Sequence, residues 1–147
     1  MESLQFRINS YDRICCDILV RNDMSEEKPY TIEIEDRGEY LWVLVGGKEL
    51  TSQISAAYWN DIAEKCFELG KEKILIEKEF EESVGPAEML EMAENLGRLL
   101  PNRRIAFLDR YNHASINELG KKLARNRDVM MQTFNDAKEA EKWLLAN

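Results

Sequence analysis

Cysteine is scarce in this sequence, and the signals of secretion and membrane insertion are missing. The three cysteines, Cys15, Cys16 and Cys66, are odd in number and lack the spacing of a disulfide framework. The opening residues show no charged segment followed by an apolar one, and no apolar run approaches the ~20 residues that a membrane-spanning helix needs. These absences predict a cytoplasmic protein with reduced thiols and no transmembrane segment.

Motifs for metals, nucleotides and covalent catalysis are also lacking. His113 is the single histidine, so a zinc site cannot be completed around the adjacent Cys15 and Cys16. The chain contains no phosphate loop, dinucleotide fingerprint or nucleophile elbow. The sequence therefore predicts no catalytic residues, no cofactor and no metal, and it favours a protein that is not an enzyme.

Positive charge is in deficit, with 20 basic residues against 28 acidic ones and a net charge of −8. The short basic segments 97–104 and 120–127 are outweighed by acidic runs such as 77–82. Binding to a phosphate backbone depends on a basic surface that releases counterions, so this balance argues against nucleic acid as a partner. The charged runs are typical of solvated faces.

Apolar residues are plentiful, and their periodicity predicts an α/β fold. They make up 44% of the 147 residues, which is enough for one domain with a core. Alternation predicts a strand over 30–36, a continuous apolar run predicts another over 40–47, and a turn at Gly38 makes the two an antiparallel hairpin. The remaining predicted elements are helices over 51–70, 85–100, 115–126 and 135–147, and strands over 73–77, 103–109 and 129–134.

Strands that alternate with helices form mostly parallel sheets. The order β-β-α-β-α-β-α-β-α therefore predicts a four- to five-stranded, mostly parallel sheet with one antiparallel hairpin and about four helices. Thr51 or Ser52 can begin the first helix and Gly70 can end it, while Gly85 and Pro86 suit the start of the second. The other predicted caps are Ser115 with Glu118 in capping-box spacing, and Asn135 or Asp136.

Residues 1–28 are treated as an N-terminal extension of a domain that spans 29–147. Leu4, Phe6 and Ile8 alternate as in a strand, whereas 13–20 fit either a strand or a helix. An open sheet has edges to cover, so the extension could add an edge strand or mediate self-association. A homodimer is therefore left open.

Two segments carry a resemblance to a known family. They are LVGGKELTSQI at 44–54, where a strand leads through a Thr to the first helix, and NRDVMMQTFNDAKEAEKWL at 126–144. From about Tyr30 to its end, the chain resembles the STAS-like domains of the SpoIIAA-like fold, a group of uncharacterised bacterial proteins and, more distantly, anti-sigma-factor antagonists. The resemblance implies a non-enzymatic regulatory or protein-interaction module with a protein partner.

The resemblance also points to the loop Glu82-Ser83-Val84-Gly85. In the regulatory members this loop reads Asp-Ser-Ser/Thr-Gly, and its first serine is phosphorylated. Ser83 and Gly85 match that pattern, Glu82 replaces the Asp, and Val84 departs from it. The resemblance thus implies an interaction or phosphorylation loop at Glu82, Ser83 and Gly85. The alternative is structural: Ser83 makes a hydrogen bond within a loop that enters a helix capped by Gly85.

A second polar loop follows the strand predicted over 103–109. Its site candidates are Asp109, Tyr111 and His113, and α/β sheets commonly build their sites where strands end. A solvent-facing histidine in an ordinary loop is the alternative.

The resemblance also implies an alternative function, a small apolar-ligand or lipid-binding domain of SpoIIAA-like or CRAL-TRIO-like type, because the uncharacterised SpoIIAA-like proteins are similar in topology to lipid-carrier folds. Flexible methionine side chains can line an adaptable pocket, although ordinary core filling would use them equally well. The candidates are Met89, Met92, Met130 and Met131. Trp42, Trp59 and Trp143 are expected as core or near-core anchors, with Trp59 nearest to an edge because its neighbour Tyr58 competes for the inward direction.

Overall fold

The computed structural model describes residues 4–7 and 29–146 of the chain. Its strands are β1 Leu4–Arg7, β2 Thr31–Asp36, β3 Leu41–Glu49, β4 Lys73–Glu82, β5 Arg104–Asp109 and β6 Met130–Phe134. Its helices are α1 Ser52–Leu69, α2 Pro86–Leu99, α3 Ala114–Arg125 and α4 Ala137–Leu145. The strands form one sheet in the order β1-β2-β3-β4-β5-β6.

The sheet is antiparallel at one end and parallel over the rest. Strand β2 is antiparallel to β1 and β3, whereas β3 to β6 run parallel. The predicted α/β fold is confirmed, since residues after 28 supply one hairpin, three further parallel strands and four helices; β1 adds an antiparallel strand beside β2. The domain boundary near residue 29 stays a prediction, and segment 8–28, with Cys15 and Cys16, lies outside the described residues.

Side-chain alternation creates an apolar core on each face of the sheet. The larger core lies under α1, α2 and α3 and includes Val43, Ile76 and Ile105, which are fully buried. Right-handed connections between neighbouring parallel strands place these three helices on the same face. The smaller core lies under α4 and consists of Tyr40, Leu75, Ala106, Ala140 and Leu144. Within residues 29–146, none of the helices combines the length and apolar character that crossing a bilayer requires.

Most helix boundaries follow the predicted caps. The Thr51 hydroxyl accepts a hydrogen bond at 3.1 Å from an N–H of the first turn of α1, and Gly70 ends that helix at φ 67°. Gly85 is the N-cap of α2 and Pro86 is its first residue. The Asp136 carboxylate accepts a first-turn N–H of α4 at 3.0 Å. These caps fix where three of the four helices begin.

The predicted capping box of α3 is wrong. The helix begins at Ala114, so Ser115 lies inside its first turn rather than at the cap. His113 occupies the N-cap position but makes no side-chain cap bond. Instead, the Asp109 carboxylate at the end of β5 accepts the backbone N–H of His113 at 2.9 Å. A charged acceptor makes a stronger hydrogen bond than a serine hydroxyl, and Asp109 therefore organises this helix start.

Strand β4 is five residues longer than predicted. The prediction ended at Glu77, whereas the strand continues to Glu82 and pairs with β3 up to Glu49. In the added half, Lys78 and Phe80 point into the larger core and are 5% and 1% exposed. A lysine at an inward position interrupts the apolar pattern, which is why periodicity alone ended the strand too early.

The predicted position of Trp59 near an edge is wrong. Trp59 is 4% exposed and Tyr58 is 1% exposed, because α1 is covered by the sheet on one side and by α2 on another. The Tyr58 ring stacks on Phe80 with 6.1 Å between centroids. Trp42 and Trp143 are half-buried beside the smaller core, as expected for near-core anchors.

Candidate functional site

The connections after β5 and β6 diverge, and a cleft opens between them. The chain turns from β5 to α3 on the face of the larger core, but it turns from β6 to α4 on the opposite face. Diverging connections leave a crevice at the carboxyl ends of parallel strands. A cleft of about 420 Å³ lies there, within the ~300–1,000 Å³ range of small-ligand sites. It is called the carboxyl-edge cleft here, and its lining residues are Glu77, Lys78, Glu79, Leu108, Asp109, Arg110, Asn112, Phe134 and Asn135.

Asp109 is the centre of a hydrogen-bond network in this cleft. Its side chain is 5% exposed. Oδ1 accepts the backbone N–H of Tyr111 at 3.1 Å, while Oδ2 accepts the N–H of His113 at 2.9 Å and the Asn117 amide at 2.8 Å. Burial raises the pKa of Asp109, but the hydrogen bonds from Asn117 and His113 outweigh that effect, so the pKa lies below its ordinary value. Asp109 is therefore an ionised, fully hydrogen-bonded carboxylate.

His113 links this network to the end of β4. Its Nδ1 lies 2.9 Å from Asp109 Oδ2, and its Nε2 lies 3.2 Å from the carbonyl oxygen of Glu81. Both partners are acceptors, so the imidazolium form, which donates from both nitrogens, satisfies the two contacts at once. The contact with Glu81 brings the two predicted sites close together, since Ser83 follows two residues later.

The predicted polar site at Asp109, Tyr111 and His113 is assembled only in part. Asp109 and His113 are in direct contact, whereas the Tyr111 side chain is 45% exposed and its ring centroid lies 6.4 Å from that of His113. The backbone of Tyr111, rather than its phenol, takes part in the network. Whether this group binds a ligand stays a prediction.

Lys78 is a further residue of the site, which sequence analysis missed. It lies in β4 directly opposite Asp109 in β5 and opposite Val45 in β3. Its ammonium lies 4.8 Å from the centre of the Phe107 ring. Among the described residues, no hydrogen bond or ion pair reaches this ammonium; Asp109 acts on it only through longer-range attraction. Burial lowers the pKa of Lys78 to about 8, and the Asp109 charge partly opposes that shift.

An apolar cavity lies beneath α2 and α3, next to Lys78. Its volume is about 50 Å³. Three of the four predicted methionines line it, whereas Met130 is 47% exposed elsewhere. Its lining includes Lys78, Met89, Met92, Phe107, Asn117 and Met131. Lys78 lines both this cavity and the carboxyl-edge cleft, and Asn117 lines the cavity while it holds Asp109.

The predicted interaction loop is shorter than expected. Glu82 ends β4, and its carbonyl accepts the N–H of Leu50 at 3.0 Å, so the loop consists of Ser83–Gly85. The structural alternative for Ser83 is wrong in one respect: its buried Oγ has no hydrogen-bond partner among the described residues. Gly85 caps α2 through its backbone conformation without a side chain.

The signal for the missed residues was present but weak. Lys78 continues the inward alternation of Ile74 and Ile76, and Asn117 lies one helical turn after His113. Neither spacing is a motif, so only the fold brings the residues together. Among the described residues, no group of three or more His, Cys, Asp and Glu side chains is arranged to hold a metal ion.

Comparison with protein-family models gave no match to this chain, and comparison with curated proteins gave none either.

Proposed function

We propose that the chain is a non-enzymatic regulatory or protein-interaction module of the STAS-like kind. The contact surface consists of the loop Ser83–Gly85 and the exposed side of α2, and is called the α2 surface below. Support comes from the order of helices and strands, which agrees with the resemblance, and from the side chains that α2 presents to solvent.

The single observation that carries this proposal is the exposure of Leu90. This leucine is 40% exposed, although the residues on either side of it along α2 follow an otherwise regular amphipathic pattern. Glu94 is exposed one helical turn after it, on the same side of the helix, and its carboxylate lies 3.5 Å from the Arg127 guanidinium. An exposed leucine beside a charged pair suits a partner with an apolar pocket and a polar rim, because fully desolvated anchors supply affinity and charges at the rim supply orientation.

Ser83 contributes to this proposal as part of the loop. Its hydroxyl is buried, so a kinase would reach it only after the loop opens. A phosphate there would gain from the free N–H groups at the start of α2 but would be repelled by the neighbouring Glu81 and Glu82. The use of Ser83 as a phosphorylation switch stays a prediction, and a phosphate-sized mass increment mapped to Ser83 in protein from its own source would support it.

Crosslinked capture from native lysate tests the α2 surface. We expect the wild-type chain to retain a specific protein and Leu90→Ser to lose it. The matched control is Phe67→Ser, since Phe67 on α1 is 66% exposed and lies outside the proposed surface. Retention of the same proteins by Leu90→Ser, or loss that is equal in both variants, would contradict the proposal.

A second candidate function is the binding of a small apolar ligand, and the methionine-lined cavity favours it. The cavity of about 50 Å³ is much smaller than the ~300 Å³ at which drug-sized sites begin, so a whole lipid does not fit among the side chains as they stand. A short apolar chain is the better match. Organic extraction followed by mass spectrometry of gently purified protein tests whether such a molecule accompanies the chain.

A further inference from the structure

The ammonium of Lys78 lies where the carboxyl-edge cleft meets the apolar cavity, and no described residue gives it a hydrogen-bonded counter-group. Lysine is almost never fully buried unless it is paired, because removal of its hydration is costly. Here the side chain is 5% exposed, and the described residues offer it an aromatic ring and a carboxylate beyond ion-pair distance. A ligand that hydrogen-bonds the ammonium would remove this deficit.

Asp109 is not free to act as that partner. Both of its oxygens accept hydrogen bonds from the β5–α3 connection and from Asn117. The His113 ring nitrogen Nδ1 also lies 2.9 Å from the Asp109 carboxylate, which is therefore surrounded by partners other than Lys78. The Lys78 ammonium thus has an aromatic ring and a longer-range carboxylate near it but no directly bound anion, which favours an anionic ligand.

The surroundings of Lys78 define what kind of anion fits. The cavity beside it presents methionine thioethers, Phe107 and Leu96, which suit a short apolar chain. Glu77 and Glu79 line the cleft on the other side, and the Arg110 guanidinium there is paired with Glu79 at 3.4 Å, so the acidic groups still disfavour a multiply charged anion. One ammonium without a bound anion, an apolar cavity and a rim in which carboxylates outnumber cations together favour a singly charged head on a short tail.

We propose that Lys78 binds the carboxylate of a small monocarboxylic acid, whose short apolar chain occupies the methionine-lined cavity beneath α2 and α3. This inference rests on the second candidate function, the binding of a small apolar ligand. It names the group that recognises the ligand and the chemical class to which the ligand belongs.

Three probes of equal length test the charge that Lys78 selects. Butyrate, butyramide and butylamine share a chain length but carry a negative, a neutral and a positive head. With the full chain at constant ionic strength, we expect butyrate alone to give a saturable rise in Tm and saturable NMR shifts for residues around the cavity. An equal response to butyramide would overturn the role of the ammonium.

Replacement of the lysine tests the contact itself. Lys78→Met keeps the length and apolar stem of the side chain, and Lys73→Met on the same strand is the matched control, because Lys73 does not line the cavity. A hydrogen bond to a charged group contributes enough that its loss weakens binding by about tenfold or more. We therefore expect butyrate affinity to fall by that factor in Lys78→Met and to be unchanged in Lys73→Met. Equal affinity in the two variants would overturn the proposal.

Gly120→Ala tests the position of the tail without a change in charge. A Cβ at Gly120 would lie 2.9 Å from the sulfur of Met89, so the flexible Met89 side chain must move toward the cavity. We expect weaker binding of butyrate and little change for acetate, which has no tail to accommodate. If the affinities for butyrate and acetate fall to the same degree, the butyrate tail does not occupy the cavity.

A longer acid, octanoate, distinguishes failure of Lys78 as the recognition group from failure of apolar-ligand binding as a function. If octanoate binds and Lys78→Met does not weaken it, apolar-ligand binding stands while recognition by Lys78 is overturned. If neither butyrate nor octanoate binds, both are overturned. Capture by the α2 surface is measured separately, with Leu90→Ser, and does not depend on either result.

Discussion

The two connections that leave β4 and β5 at the carboxyl edge of the sheet are built in opposite ways. Between β5 and α3, the Asp109 carboxylate accepts several backbone and side-chain donors and so determines the loop conformation. Between β4 and α2, the Ser83 hydroxyl is buried without a described partner, and the helix starts through the conformations of Gly85 and Pro86. One loop is organised by a charge and the other by backbone restriction. The conformation of the first loop consequently depends on Asp109, whereas replacement of Ser83 in the second loop should cost little free energy of folding.

Asp109→Asn should produce the largest effect. An amide cannot accept the same set of donors, and its introduction leaves Lys78 without the nearest opposing charge. Loss of one member of a buried charged network costs about 3 kcal/mol in free energy of unfolding. Urea denaturation measures it, with Asp128→Asn as the control, because Asp128 is exposed and asparagine tolerates its φ of 65°. Equal stabilities of the two variants would show that Asp109 does not organise the loop.

The acid limb of the stability curve sharpens this prediction. Because the pKa of Asp109 is lower in the folded chain, its contribution is present above the ordinary carboxyl pKa of 3.8 and is lost as pH falls through the folded value. We expect the difference in unfolding free energy between wild type and Asp109→Asn to shrink below pH 4. A difference that is constant with pH would mean that charge is not the cause.

Lys78→Met should give the next largest effect, with the opposite sign. The folded pKa of about 8 lies below the ordinary 10.5, so the folded state releases its proton first. Below pH 8 the buried charge therefore lowers the free energy of unfolding by its full amount. This destabilisation disappears as pH rises from 8 to 10.5. We expect the variant to be about 2 kcal/mol more stable at pH 7 and the gain to vanish by about pH 10.5. Denaturation of both proteins across this range measures it.

Wild type and Lys78→Met must be compared at each pH, because other buried groups titrate in the same pH range. Burial raises the pKa of the Cys66 thiol to about 11, so that residue lowers stability as pH rises through its ordinary value of 9. Cys66 is present in both proteins and cancels in the difference. A variant that is less stable than wild type at pH 7 would show that Lys78 is stabilised in the folded chain.

Ser83→Ala should produce the smallest effect. Removal of a buried hydroxyl without a hydrogen bond should raise stability by about 0.5–1 kcal/mol. The measurement is urea denaturation beside Thr51→Ala, in which loss of a working cap should cost about 1 kcal/mol. If Ser83→Ala is destabilised as much as Thr51→Ala, the Ser83 hydroxyl makes a stabilising contact and the contrast between the two loops is removed.

The residues of the candidate site differ in whether the periodicity of the sequence could identify them. Asp109 and His113 were identified because polar residues after an apolar strand commonly line sites, and the structure places them in contact. Lys78 was missed because a charged residue between Ile76 and Phe80 resembles the end of a strand. Its inward direction depends on β3, which pairs with β4 as far as Glu82, and on β5, which pairs with β4 as far as Lys78.

Two further errors have similar causes. Both Tyr58 and Trp59 are buried, because α1 packs against the sheet and also against α2. The residue pattern along one helix does not show how many neighbouring elements will cover that helix. The start of α3 was assigned to a local serine, whereas the carboxylate that organises it comes from the preceding strand. Each error concerns a contact between elements.

The sequence by itself determined the α/β class, the order of the elements from residue 30 onward, and the caps Gly70 and Gly85, and it narrowed two further caps to Thr51 or Ser52 and to Asn135 or Asp136. These features depend on spacing along one element and on the conformational preferences of single residues. Tertiary structure alone decided that the connections after β5 and β6 diverge, that a cleft opens between them, and that Lys78 lies opposite Asp109 beside an apolar cavity. The reason is physical: the free energy of a buried charge depends on the groups that surround it in space, and those groups come from strands and helices far apart in the chain.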